Sequence, residues 1–343
     1  MNIPGANRAG EGAIMVRRLI MATVLVLLAG IAAAQSITLY VGRGESLAGP
    51  IIERFTEATG IDIEVRYGST AELAVLISEE GEASPADGFW AQDAGALGAL
   101  AKAGALAAVP PELVANVPEK QVQANLEWVA VSARNRTLIY SPERVSEDEL
   151  PASVLDLTDE AYANRVAWAP SNGSFQSFVT ALRVTNGEDV AEQWLRGMIA
   201  NGAKAYPNNG SQLDAVAAGE VDFGLVNNYY LMRRLAEDPN FPVAQTFFQD
   251  GDIGNLANVT GIGVVAASDK QELMQEFIGY LLSDEAQTFF TEENFEYPIT
   301  TTVEPAAGLA TGSEVDEAAP EVDLTAIDDL EGTLRLLREV GLL

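Results

Sequence analysis

Apolar and polar residues alternate along this chain in short runs that predict strands, and each run is followed by a longer stretch with helical spacing. Residues 36–41 and 61–67 have the strand pattern, and residues 47–59 and 70–80 after them have the helical one. A third strand at 87–90 and a helix at 94–103 continue the series. This β-α-β order predicts an α/β fold with a sheet covered by helices.

A second series of the same kind begins near residue 165 and ends in a buried strand at 221–226. Between the two series, residues 126–132 and 137–140 form two strand-like runs separated by residues 133–136. Long extended segments of this kind can cross between lobes. We therefore expect two lobes, each a βα sheet. Residues 304–320 are rich in Ala, Gly and acidic residues and predict a loose segment without regular structure. Residues 327–340 predict an amphipathic helix.

Two adjacent phenols stand where the strand at 221–226 stops. Asn227-Asn228-Tyr229-Tyr230 separates that strand from the helical run after it, so we expect a strand-to-helix loop. In open α/β sheets ligands bind at the carboxyl ends of strands. Tyr229 and Tyr230 are therefore the first candidates for a binding site.

The amino-terminal residues have the pattern of an export signal. Arg17 and Arg18 precede an apolar run at 19–31, and small residues at 32–34 predict cleavage before Gln35. The alternative is a membrane anchor, but the run is shorter than the roughly 20 residues that span a bilayer. The residues before Met15 are interpreted as an upstream extension, so residues 1–34 are excluded from the fold.

Composition excludes several classes of chemistry. The chain has no cysteine and no histidine, which excludes disulfides, zinc-thiolate sites, histidine-based catalysis and Ser-His-Asp triads. Its formal charge of −30 argues against nucleic acid as a partner, because phosphate contacts need clustered Lys and Arg. A cysteine-free exported protein is typical of the periplasm. No catalytic motif is present, so we do not expect an enzyme.

Paired phenols suit one kind of metal in particular. A phenol has an ordinary pKa of about 10, and a highly charged hard cation such as ferric ion can displace its proton. Such a pair can also serve only to pack the start of a helix. The pair alone does not distinguish metal binding from packing.

Several segments in consistent order resemble the periplasmic ferric-ion-binding proteins that serve iron ABC transporters. The resemblance covers nearly everything after Gln35 and is carried by residues 84–90, 128–136, 169–173, 206–209, 219–230 and 296–298. It implies a two-lobed type II periplasmic binding protein fold, with lobes of residues 37–134 plus 261–308 and residues 135–260 plus 309–343. It also implies a monomer that binds Fe(3+) as cargo and delivers it to a permease in the inner membrane.

The same resemblance implies roles for individual residues. Tyr229 and Tyr230 would be iron ligands. A synergistic anion, carbonate or phosphate, would lie against the ion. Its binding residues would be Asn172, Gly173, Ser174, Asn209 and Asn227, with Arg134 as a counter-charge.

The chain departs from the family at three ligand positions. Gly44 stands where many members have histidine, Gln92 where they have glutamate, and Phe175 where another class has a third tyrosine. Gln92 is a further candidate metal ligand through its amide oxygen, and Asp93, Glu45 and Tyr67 are weaker alternatives. Two other functions stay open: the same fold binding an organic or inorganic oxyanion, and a metal-dependent hydrolase.

Overall fold

The computed structural model describes Met1 and residues 35–118, 122–322 and 324–343. The predicted signal and cleavage site, residues 15–34, lie outside the described residues. Within the described ranges, no helix combines the length and apolar character needed to cross a membrane.

Short strands and longer helices alternate through most of the described chain. The strands are β1 (Ser36–Val41), β2 (Asp62–Tyr67), β3 (Gly88–Ala91), β4 (Leu106–Ala107), β5 (Val129–Tyr140), β6 (Val166–Trp168), β7 (Lys204–Ala205), β8 (Phe223–Asn227), β9 (Ala244–Thr246), β10 (Ala257–Val265) and β11 (Tyr297–Pro298). The helices are α1 (Glu45–Thr59), α2 (Thr70–Glu80), α3 (Ala94–Lys102), α4 (Gly173–Asn186), α5 (Glu188–Ala200), α6 (Asn209–Ala217), α7 (Asn228–Glu237), α8 (Gln271–Leu281), α9 (Asp284–Glu292), α10 (Gly312–Ala318) and α11 (Leu330–Glu339).

The strands follow the order β2-β1-β3-β10-β5-β8-β6-β7. On one side of β5, β1 lies parallel to β2 and β3, and β10 is antiparallel to β3 and β5. On the other side, β8 is antiparallel to β5 and parallel to β6. The carboxyl ends of β1, β3 and β8 are therefore all available to build a site between the two groups of strands.

β5 joins the two groups because it belongs to both. Its first half pairs with β10, from Val129 to Asn135, and its second half pairs with β8, from Arg136 to Tyr140. The prediction of two strand-like runs separated by residues 133–136 is wrong, since these residues continue one extended strand in which Arg134, Asn135 and Arg136 are buried. The predicted crossing between lobes is consistent with this strand, and the lobe boundaries themselves stay a prediction.

Local signals set several helix boundaries. Ser69 and Glu72 form a capping box at the start of α2, and Gly60 ends α1 in the left-handed conformation at φ 75°. Ser268 does not cap α8, because its hydroxyl donates to Asp87 at 2.6 Å and the helix begins only at Gln271. The segment at 304–320, predicted to be loose, contains α10.

Large aromatic side chains fix the sheets under the helices. Trp90 of β3 is fully buried, packs edge-on against Phe277 and Phe290, and donates its indole N–H to Thr260 of β10 at 3.0 Å. Trp168 packs against Phe175 at the start of α4. Trp90 and Trp168 lie at or near the carboxyl ends of β3 and β6, and Phe175 lies in the first turn of α4. Their packing therefore holds these strand ends and the start of α4 in place.

Candidate functional site

A cleft of about 580 Å³ lies where the ends of several elements converge. One wall comes from the turn after β1 and from Gln92 after β3, and the other from residues 171–174 at the start of α4 and from Tyr229 and Tyr230. The two walls belong to the two strand groups that β5 connects. The cleft is therefore placed at the carboxyl ends of strands, as expected for an α/β ligand site.

The tyrosine pair lies in the first turn of α7. Asn227 is the last residue of β8 and the helix begins at Asn228, so the predicted connecting loop is absent. The Asn228 side chain fixes this junction, since it accepts from the Asn135 amide and donates to the Phe295 carbonyl, both at 3.1 Å. The two tyrosine rings stack at 4.5 Å between centroids. Two phenols are thus held together at one end of the cleft.

Tyr229 is a buried phenol in an environment of mixed charge. It is 2 % exposed, and burial raises its pKa well above the ordinary value, with Tyr230 and Glu296 adding to the effect and Arg134 opposing it. The Gln92 amide donates to the Tyr229 hydroxyl at 3.4 Å across the cleft. Without a cation, Tyr229 is therefore neutral at physiological pH. Tyr230 is half-buried and lines the cleft beside it.

Arg134 interacts electrostatically with Tyr229 and has unused hydrogen-bonding capacity. Its side chain is 1 % exposed, and Nε, Nη1 and Nη2 have no hydrogen-bond partner. Burial lowers its pKa, while Tyr229, Asp93 and Glu296 act in the opposite direction. A buried cation with unpartnered donors costs free energy unless an acceptor is supplied. This arrangement favours the approach of an anion.

Two further arginines surround Arg134. Arg43 donates through Nη2 to both carboxylate oxygens of Glu296, at 2.9 and 3.0 Å, and its Nε and Nη1 are unpartnered. Arg136 lies over the Phe178 ring, and burial together with Arg134 lowers its pKa to about 9. The buried floor of the site therefore carries a concentration of N–H donors.

The residues predicted to bind an anion form two groups. Asn172, Gly173 and Ser174 stand at the start of α4 and line the cleft; we call them the anion seat. The Asn172 side chain is used as a cap, accepting from the Ser174 amide at 3.0 Å and hydroxyl at 2.6 Å. Asn209 and Asn227 do not line the cleft; both are buried, and each has an Nδ2 without a partner.

Two of the three positions that depart from the family, Gly44 and Phe175, offer no side-chain donor for a metal ion. Gly44 lines the cleft without a side chain, and Phe175 is buried against Trp168. Tyr67 lines a separate depression with Arg66 and Leu76, and Glu45 is exposed at the start of α1. Across the described residues, no group of three or more Asp or Glu side chains could hold a metal ion. The phenols thus remain the main oxygen donors.

Sequence reasoning missed Arg43, Arg136 and Glu296. Arg43 lies in the G-x-G turn after β1, and Glu296 directly precedes β11. These two residues are 253 positions apart and meet as a buried ion pair. The sequence around each residue gives no signal of burial, since Glu45 lies two positions from Arg43 and Glu293 lies three positions from Glu296.

Comparison with known proteins decides the family. The profile of the family described as "Bacterial extracellular solute-binding protein" matches residues 85–318. The chain belongs to this family. This solute-binding protein is 33 % identical over 314 residues to the "Major ferric iron-binding protein" of Neisseria meningitidis, covering 90 % of this chain and 94 % of that one. It is 31 % identical over 315 residues to the "Fe(3+)-binding periplasmic protein" of Serratia marcescens, covering 91 % and 92 %.

Solved structures give the same result for this solute-binding protein. Iron-bound HitA from Pseudomonas aeruginosa superimposes with a TM-score of 0.85 at 33 % identity, over 90 % of this chain and 99 % of that one. A Trichodesmium protein in complex with iron and citrate has a TM-score of 0.74 at 29 % identity, over 90 % and 100 %. The predicted family resemblance and the type II periplasmic binding protein fold are confirmed.

Proposed function

We propose that this solute-binding protein captures ferric ion in the cleft and delivers it to a permease of an ABC transporter in the inner membrane. The stacked Tyr229–Tyr230 pair at the head of α7 is the observation that carries this proposal. Two adjacent phenols, which become phenolates when they meet a hard trivalent cation, are donors of the type that Fe(3+) prefers. The relatives named for ferric iron binding support the same cargo.

Tyr229 and Tyr230 are the proposed metal ligands. Gln92 is the next candidate, because its amide already reaches the Tyr229 hydroxyl and would present its oxygen to the ion after a flip of the amide. The two phenolates supply two negative charges against the three positive charges of the ion. Neutral oxygen donors, such as the Gln92 amide and water, can complete the coordination.

The remaining charge is supplied in our proposal by a synergistic anion, carbonate or phosphate. Asn172, Gly173 and Ser174 would contact it at the start of α4, where the helix dipole favours an anion. Asn209, Asn227 and Arg134 would contribute the donors that have no partner in this structure. Unpartnered donors beside the tyrosines support an anion at this position.

Cargo capture by this fold requires the cleft to open and close. We propose hinge motion at β5 and β10, between lobes of residues 37–134 plus 261–308 and 135–260 plus 309–343. The protein would act as a periplasmic monomer, exported by cleavage before Gln35, and not as an enzyme. Small-angle scattering profiles of the apo and iron-loaded protein should differ, and superimposable profiles would count against closure.

Iron titration with visible spectroscopy tests the cargo. In bicarbonate or phosphate buffer, ferric ion should produce a phenolate-to-iron charge-transfer band that disappears in the Tyr229→Phe plus Tyr230→Phe variant. Tyr280→Phe is the matched control, since Tyr280 packs on Phe55 away from the cleft. Tyr67→Phe tests the alternative ligand. A wild-type protein that stays colourless with both anions would refute the proposal.

A second candidate cargo is an oxyanion bound without metal. The three unpartnered nitrogens of Arg134 favour it, because their N–H groups would donate directly to a tetrahedral or planar anion. In that case calorimetry of the metal-free protein would give tight binding of the anion, and Tyr229→Phe would weaken it only slightly.

A further inference from the structure

An arginine one helical turn beyond Tyr229 lines the cleft without a partner. Arg233 follows Tyr229 by four residues and Tyr230 by three in α7, and this spacing puts the three side chains on one side of the helix. All three line the cleft. Within the described residues Arg233 makes no hydrogen bond and no ion pair. Its neighbour Arg234, in contrast, is paired with Asp214 at 2.6 Å.

Basic side chains without a partner are uncommon in this acidic protein. Counting bonds between described residues only, four Lys or Arg side chains make neither a hydrogen bond nor an ion pair: Arg134, Arg233, Arg335 and Arg338. Arg335 and Arg338 are exposed on α11. Of the two that are not exposed, Arg134 interacts electrostatically with Tyr229, and Arg233 lines the cleft beside it. Both are therefore associated with the phenol pair.

The two arginines meet the cleft at different depths. Burial decreases along α7, since Tyr229 is buried, Arg233 is half-buried and residues 236–240 are exposed. Four residues of helix correspond to a rise of about 6 Å. Arg134 therefore offers its donors in the buried floor of the site, and Arg233 offers its donors nearer to solvent. A single carbonate or phosphate in the anion seat fills one of these places, whereas a ligand with several negative groups fills both.

The charge of the site also favours a ligand with several negative groups. Three arginines and one carboxylate are buried around it: Arg43, Arg134, Arg136 and Glu296. They leave two positive charges, and a ferric ion with two phenolates adds one more. The excess is therefore three positive charges, or two if the buried Asp93 is ionised, before Arg233 is counted. One carbonate supplies at most two negative charges, and a tricarboxylate supplies three.

The space in the cleft and its small set of metal donors agree with this charge. The volume of about 580 Å³ lies in the range of about 300–1,000 Å³ that is usual for sites of small organic ligands. Gly44 offers no side chain to the metal, and Gln92 offers only a neutral oxygen. A chelating polycarboxylate occupies this space and supplies the oxygen donors that the protein does not.

We propose that Arg233 is a specificity-determining residue that selects ferric ion already bound to a small polycarboxylate. This role rests on the proposed function and names its cargo, because the polycarboxylate takes the place of carbonate or phosphate. Tyr229 and Tyr230 bind the ion, and Arg134 and the anion seat hold one carboxylate group. Arg233 holds another carboxylate group nearer to solvent and does not bind the metal.

Ferric citrate is the probe for this proposal. Wild type, Arg233→Gln and Arg233→Lys are titrated with ferric citrate, and the charge-transfer band measures bound iron. Radiolabelled citrate and iron that stay with the protein after gel filtration are counted. In a second arm, iron(II) chloride is oxidised by air in bicarbonate buffer without citrate. Arg234→Gln is the matched control, because it removes the same charge one residue further along from an arginine that is already paired with Asp214.

The expected result is a loss that depends on the chelator. Wild type should retain citrate and iron in equal amounts. Arg233→Gln should bind ferric citrate on the order of 10-fold more weakly, as for the loss of one hydrogen-bonded contact between charged groups. Arg233→Lys should recover part of this affinity, and Arg234→Gln should stay within about 2-fold of wild type. In bicarbonate without citrate, Arg233→Gln should capture as much iron as wild type, which also shows that the variant is folded.

Three results would overturn the role of Arg233. One is a wild type that retains iron but no citrate, since the chelator is then stripped before binding. Another is an equal loss of ferric citrate affinity in Arg233→Gln and Arg234→Gln, which would reflect only the overall charge at the cleft. The third is an equal loss in Arg233→Gln with and without citrate. A wild type without a charge-transfer band in either arm would instead refute the proposed iron function itself.

Discussion

Glu296 and Arg43 form a buried ion pair directly below the cleft, and replacing Glu296 by glutamine tests how much the fold depends on it. Both side chains are fully inaccessible to solvent. The glutamate accepts from Arg43 at 2.9 and 3.0 Å and from the Ser132 hydroxyl at 2.8 Å. Glutamine keeps the volume but removes the charge and places an N–H₂ group where an acceptor is needed.

The expected loss of unfolding free energy in Glu296→Gln follows from the burial of Arg43. Arg43 has two nitrogens without a partner even in the wild type, so it cannot turn to another acceptor when Glu296 is lost. Leaving one partner of a buried pair uncompensated costs about 3–5 kcal/mol. We expect Glu296→Gln to lower the free energy of unfolding by that amount.

Urea denaturation of the metal-free protein, followed by tryptophan fluorescence, measures the change; the Arg43 guanidinium lies 5.2 Å from the centroid of the Trp90 ring. Glu293→Gln is the matched control, because its pair with Arg54 is exposed and should be worth about 0–1 kcal/mol. Arg43→Met combined with Glu296→Gln should recover part of the loss, since no buried charge is then left unpaired.

Two results would refute this reasoning. One is a Glu296→Gln variant within about 1 kcal/mol of wild type, the range of an exposed pair. The other is a double variant that loses as much as the sum of the two single variants, which would mean that the charges do not interact.

Three further predictions concern protons, pH and backbone packing. Because Tyr229 is a neutral phenol in the metal-free protein, iron binding should release about two protons per ion in wild type and about one in Tyr229→Phe. The release is measured in weakly buffered solution with a ferric chelate of known proton stoichiometry. Equal proton release in both proteins would contradict Tyr229 as a phenolate ligand. Burial raises the pKa of Asp222, but hydrogen bonds from Arg144 and Arg165 lower it by more, so the folded pKa lies below the ordinary value. The stabilisation by Asp222 should be fully present above about pH 4 and lost as the pH falls through the folded pKa. The free energies of unfolding of wild type and Asp222→Asn should therefore converge only below about pH 4. A difference that becomes smaller when the pH is raised would contradict this sign. A Cβ on Gly95 would lie 2.7 Å from the Ile327 carbonyl oxygen, so Gly95→Ala should cost about 1–3 kcal/mol. At Gly312 nothing lies within 4 Å of the added Cβ, and Gly312→Ala should be neutral or stabilising by about 0.4–1 kcal/mol; equal thermal shifts for the two variants would show that the contact with Ile327 is not limiting.

Sequence periodicity predicted the elements whose burial pattern is local. β1 has the predicted bounds, and α2 has them as well because Ser69 and Glu72 supply a complete capping box. The sequence predicts a break in the strand at 133–136, because Arg134 and Arg136 locally indicate exposure. These arginines are buried because their compensating groups come from distant parts of the chain.

The same limit applies to the candidate site. Tyr229 and Tyr230 could be selected from the sequence, because two phenols at a strand end are unusual by themselves. The start of α7 at Asn228 could not be predicted from the sequence. The Asn228 side chain bonds to Asn135 and Phe295, 93 and 67 positions away, instead of capping the helix. Asp93 and Gly173 likewise come close to each other only once the two strand groups are brought together.

The position of β10 has a consequence for how the chain is made. β3, completed at Ala91, has β10 as its neighbour on one side, and the pairing strand ends only at Val265. While the chain is being synthesised, the edge of β3 has no native partner until more than 160 further residues have been added. Ribosome-bound chains that stop before residue 257 should therefore be degraded readily by protease, and chains that extend past residue 265 should resist it. Late closure of the first sheet would keep the nascent protein unfolded for longer.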